Sequence, residues 1–112
     1  MKNTIAAIIL LLTVIILVII NAIAVARITD KLFSLTDEYE IDELKQYWDE
    51  QFTYLSISTN LKVMEDADKA LVDLRSYHES GSVDEYLAAK ERFINSVDEI
   101  ATGEKILFYN IF

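Results

Sequence analysis

The apolar positions change rhythm along the chain. Residues 5–26 are almost continuously apolar and carry no charge, with Thr13 and Asn21 as the polar interruptions. At about 1.5 Å per residue this run makes a helix of about 33 Å, enough to cross a hydrocarbon core about 30 Å thick. A helix is also the one single segment that satisfies its own backbone in lipid. The run therefore predicts a transmembrane anchor over residues 1–26, with Ile5, Leu10, Ile15, Ile20 and Ala26 marking its length. A cleaved signal peptide is the alternative, because Ala22-Ile23-Ala24 and Ala24-Val25-Ala26 have the small-x-small form. The apolar run exceeds the roughly 7–15 residues of a secretory core, which favours an uncleaved signal anchor.

After Arg27 the spacing becomes helical. Ile41, Leu44, Trp48, Phe52 and Leu55 step by three or four, and Val63, Ala67, Ala70, Leu74 and Tyr77 continue the stripe. Between them Ser56-Ile57-Ser58-Thr59-Asn60 gathers poor helix formers. Gly81 suits a helix end, and Ser82-Val83-Asp84-Glu85 reads as a capping box opening the last helix, with Tyr86, Phe93, Val97, Ile100 and Leu107 on its apolar face. Ser34, Thr36 and Asp37 offer a cap for the first helix of this region.

The fold class expected is all-α: one transmembrane helix followed by a small helical bundle or a long helical hairpin in residues 27–112. If the chain breaks near residues 56–60, segments 37–56, 60–79 and 83–108 close a three-helix bundle around Trp48, Phe52, Leu74 and Phe93, the arrangement favoured here. If it does not break, the last helix covers half of a long one, and the bare half requires a second copy or a protein partner.

Charge narrows the set of partners. Nine of ten basic and all nineteen acidic side chains fall in residues 27–112, whose formal charge is therefore −10. Such a surface does not displace counterions from nucleic acid, so no nucleic-acid partner is expected. The chain has no cysteine, no proline and two glycines. Cysteine zinc sites, disulfide scaffolds and lipidated anchors are excluded with the thiol.

Catalytic sets do not assemble. His78 is the single histidine, at a predicted helix end where an imidazolium meets the negative end of the helix dipole. The acidic runs at residues 37–43 and 65–68 lack the turning glycine of a calcium loop and read as solvated faces. Tyr39, Tyr47 and Tyr54 form a file beside the main stripe, read as packing before a ligand platform. Asn21 either bonds to another transmembrane helix or reaches to the interface. The end of the chain, Ile106-Leu107-Phe108-Tyr109-Asn110-Ile111-Phe112, is too apolar to hang free and packs either back on its own bundle, the arrangement favoured here, or against a partner. Trp48, Phe52, Ile106, Phe108, Ile111 and Phe112 are accordingly the candidate partner contacts. No cofactor, metal or catalytic residue is expected.

With the apolar start, Trp48, the helix ending before Gly81 and the terminal Asn110-Ile111-Phe112 in view, the chain resembles the bacterial domain-of-unknown-function 4363 family over nearly its whole length. Where that family often carries a histidine about a dozen residues after the tryptophan, Asn60 stands here. The resemblance implies a small membrane-anchored protein of a Gram-positive, often spore-forming bacterium, without assigned activity and sometimes encoded beside a YetF-like membrane protein. The expectation is a single-pass cell-membrane protein, amino end inside and acidic domain outside, acting without catalysis on an integral membrane protein or on copies of itself. A solute-sensing helical module is the alternative.

Overall fold

The computed structural model describes the backbone of residues 1–111 and the side chains of residues 1–103. Among these the chain is four helices and the turns between them: α1 (Lys2–Asp37), α2 (Ile41–Ser58), α3 (Leu61–Ser80) and α4 (Val83–Ile111). The all-α class and the long apolar amino-terminal helix match expectation.

The bundle, however, has four helices. Nothing in residues 2–37 breaks a helix, so α1 runs through residue 26 without interruption. Its amino-terminal part stands alone, while its carboxyl-terminal part buries Val25, Ile28, Thr29, Leu32, Leu35 and Thr36 against α2 and α4. The 25-28-32-35 spacing is that of a packing seam, with steps of three and four. The two threonines are accommodated in that seam because their hydroxyls donate back along the helix, Thr29 to the Val25 carbonyl at 3.0 Å and Thr36 to the Leu32 carbonyl at 2.7 Å.

The chain then folds up and down. α1 neighbours α2 and α4, α3 neighbours the same two, and α3 and α4 share the largest interface. Ala67 and Ala70 of α3 and Ala89 of α4 are buried, and side chains this small let neighbouring helices approach closely. The core is completed by Ile41, Leu44, Trp48 and Leu55 from α2, Met64, Leu71 and Leu74 from α3, and Phe93, Val97 and Ile100 from α4. Along α3 the buried row is centred on Met64 and Leu71, leaving Val63 and Tyr77 half-buried at its edge.

The helix ends follow local chemistry. The break near residue 58 is present: Thr59 is extended, and the Asn60 side chain accepts from the Lys62 amide at 2.8 Å, capping α3. At the other pole α1 ends in a Schellman motif, Glu40 N–H to the Leu35 carbonyl at 3.2 Å and Tyr39 N–H to the Thr36 carbonyl at 3.4 Å. α3 ends in another, Ser82 N–H to the Tyr77 carbonyl and Gly81 N–H to the His78 carbonyl. Gly81 supplies φ +75° without penalty; in α1 the equivalent left-handed position, φ +59°, is held by Tyr39. α2 thus begins at Ile41, later than the Ser34 to Asp37 cap expected. α4 begins at Val83 as expected, though the Ser82 hydroxyl faces that of Ser80 at 3.2 Å instead of forming a capping box.

With 29 residues against 20 for α3, α4 runs about 13 Å past the base of its neighbour at about 1.5 Å per residue. The molecule is a rod with principal extents of 67 × 21 × 19 Å.

Candidate functional site

The apolar half of α1 is the largest exposed feature. Ile5, Leu10 and Ile20 are each more than half exposed, Ile15 is half-buried, and Ala26 is exposed on the bundle portion. Almost nothing in its most apolar 18-residue window is buried, and the helix is long and apolar enough to cross a membrane. Soluble bundles do not leave such a surface in water.

Where this helix enters the bundle, Asn21 meets α2. The Tyr54 hydroxyl donates to Asn21 Oδ1 at 2.8 Å. The partner of Asn21 therefore comes from the same chain. This contact sets the height of the α2–α3 turn, because α2 runs toward the amino end of α1 and has one turn left after Tyr54.

Trp48 is at the centre. Its ring meets Phe52 and Phe93 edge-on, at centroid distances of 5.8 and 5.7 Å, and the contact with Phe93 reaches across the diagonal of the bundle. Its indole N–H donates to Asp68 Oδ1 at 3.0 Å. With no exposed surface, Trp48 is a core residue, which corrects its reading as a partner contact. Phe52 is half-buried against the same cluster. Of the remaining candidates, Ile106, Phe108 and Ile111 lie on α4 with side chains outside the described residues, and Phe112 lies wholly outside them.

The tyrosine file is used internally. Lys31 Nζ stands 4.4 Å from the centroid of Tyr47, whose pKa is pushed up, mainly by burial and secondarily by the Glu50 carboxylate. Tyr39 stacks on Tyr86 at 6.2 Å, with Lys90 Nζ 4.8 Å from its centroid. His78 is exposed in the last turn of α3 with its ring 5.6 Å from Tyr86. The Tyr86 hydroxyl is buried without a hydrogen-bond partner, and that burial, with a lesser contribution from Tyr39, raises its pKa.

Two open grooves flank α2. The larger, about 570 Å³, is lined by Asp42, Lys45, Gln46, Asp49, Glu50 and Arg75. The smaller, about 240 Å³, includes Lys31, Glu43 and Tyr47. Their charges largely answer one another: Lys45 pairs with Asp49 at 2.7 Å, and Arg75 approaches Asp42 at 3.6 Å and Glu79 at 3.5 Å. Among the described residues no group of three His, Asp or Glu side chains is placed to hold a metal ion.

No family model matches the chain, and no curated protein or solved structure matches it either.

Proposed function

We propose that this is a single-pass membrane protein whose acidic four-helix bundle is held at the outer face of the cell membrane, where it acts without catalysis as an accessory of another integral membrane protein. The observation that carries the reading is α1 itself, one unbroken helix that is bare and apolar over its first half and a wall of the bundle over its second. An anchor built this way fixes the height and orientation of the bundle relative to the bilayer. The basic groups flanking the span, Lys2 before it and Arg27 and Lys31 after it, nearly balance, and the accessibility experiment below tests the outward orientation. The resemblance to the domain-of-unknown-function 4363 family supports the same plan, including a neighbouring YetF-like protein as a partner to test.

The experiment is made on the full chain with a tag after Phe112. Protease added to intact protoplasts should remove the tag, and cross-linking in membranes should yield one defined adduct with an integral membrane protein. That adduct should weaken on Phe108→Ser with Phe112→Ser while the bundle keeps its helicity. Protection of the tag would place the bundle inside, and adducts only between copies of the chain would replace the accessory role with self-association.

A further inference from the structure

The span and the bundle do not meet at a neutral boundary. Asn21 is already bonded to Tyr54, so the part of α1 that extends beyond α2 and α3 is residues 5–20, about 24 Å at about 1.5 Å per residue, and α4 also continues about 13 Å past the α2–α3 turn. A hydrocarbon core is about 30 Å thick, so the free segment falls short by roughly 6 Å. A membrane can thin to meet a short span, or the protein can sink.

The α2–α3 turn favours sinking. Ile57 lies three residues beyond Tyr54, about one turn closer to the amino end of α1, and it is 81% exposed. Leu61, at the start of α3 on the same turn, is 62% exposed. These two large aliphatic side chains point away from a core that had room at neighbouring positions for Leu55 and Met64. They stand at the height where α1 becomes bare and apolar. Lys62 beside them is exposed, with an ammonium that reaches Asp66 at 3.2 Å and is free on its outer side to meet lipid phosphate. Tyr54 above them is a ring with an apolar body and a polar tip, the residue type suited to the membrane–water boundary. Glu99 lies six residues beyond Phe93, as Tyr54 lies six beyond Trp48, and it is exposed. Charge is therefore present on α4 near the height of Asn21 and again at Glu104 and Lys105 about 8 Å further along the helix, which keeps the contact shallow, about one turn deep.

We infer that the α2–α3 turn is a second membrane contact: Ile57 and Leu61 enter the outer hydrocarbon of the same bilayer that α1 crosses, seating the bundle instead of leaving it on a stalk. This rests on α1 being a membrane span.

The chain has no cysteine, so the test uses single-cysteine variants of the full protein, each carrying a bimane fluorophore, in vesicles of phosphatidylethanolamine and phosphatidylglycerol. Ile57→Cys and Leu61→Cys should be quenched by lipids with a doxyl group near the headgroup, and should respond to aqueous iodide several-fold less than Val83→Cys and Leu87→Cys at the far pole, sites that are also more than half exposed. Leu12→Cys reports on the span through quenching by deep doxyl groups. If Leu12→Cys is quenched and Ile57→Cys is as open to iodide as Val83→Cys, the seating is wrong and the anchor stands. If Leu12→Cys is not quenched by lipid, both fall. Shielding of Ile57→Cys from iodide and doxyl alike would mean that protein covers the turn, which also overturns lipid contact.

Discussion

The Tyr54 hydroxyl and the Asn21 carboxamide, 33 residues apart in sequence, meet at 2.8 Å where the apolar helix enters the bundle. The bond gives a polar group within an apolar run a partner from its own chain, and it ties the foot of α2 to α1 at one register. A single such bond contributes about 1 kcal/mol. In detergent-solubilised full-length protein, Tyr54→Phe and Asn21→Ala should each lower stability by about that amount, and the double variant should cost less than their sum, a coupling of about 0.5–1.5 kcal/mol. Strict additivity in urea unfolding would show that the bond contributes nothing.

Asp68 serves the core from its edge. Asp68→Ala leaves the buried Trp48 N–H without an acceptor and should cost about 1–3 kcal/mol, while Asp68→Asn, which keeps an oxygen there, should cost clearly less. Trp48→Ala should cost about 3–5 kcal/mol through the cavity it opens. Thermal unfolding followed by circular dichroism ranks the three, and equal losses for the two Asp68 variants would remove the hydrogen bond from the account.

Tyr39 sits at φ +59°, where a side chain costs about 1–2 kcal/mol relative to glycine. Its ring offsets that cost by stacking on Tyr86 beneath Lys90. Tyr39→Ala loses the ring and keeps the backbone cost; Tyr39→Gly loses the ring and the cost together. The glycine variant should therefore be more stable than the alanine variant by about 1 kcal/mol, the reverse of their order inside a helix. The opposite order would rule out the left-handed turn.

Tyr86 should show itself in alkali. Its pKa is raised above the ordinary 10.0, so the folded chain holds the phenol proton more tightly than the unfolded chain does. That contribution is complete below about pH 10 and is lost as pH rises through 10 toward the folded value; Tyr47 is shifted in the same direction and shares the loss. Tyr86→Phe removes a buried hydroxyl without a partner, so it should be neutral or stabilising near pH 7 and should flatten the fall in Tm between about pH 9 and 11.5. Parallel Tm curves for the two proteins would contradict this.

What was legible in the sequence was mostly local. The poor helix formers at residues 56–60 and Gly81 end helices through their own backbone preferences, and both ends are where those preferences put them. The carboxyl-terminal half of α1 was hidden because Val25, Ile28, Leu32 and Leu35 follow directly on an apolar run, so the packing seam merges with that run and their boundary leaves no signal. Asp68 read as part of a solvated acidic run because its partner, Trp48, is twenty residues away. The tryptophan read both as the centre of a three-helix bundle and as a contact residue, because a core aromatic and a docking aromatic have the same spacing; its full burial leaves the core reading.

Because α1 passes from its bare apolar half into the bundle without a hinge, the bundle is a lever arm fixed to the proposed span. From Asn21 to Tyr39 the arm is about 27 Å, so a tilt of about 20°, ordinary for a membrane helix, carries the Tyr39 pole sideways by about 9 Å. A partner that changes the angle of the span would thus be read at the far end as displacement, with no rearrangement inside the bundle.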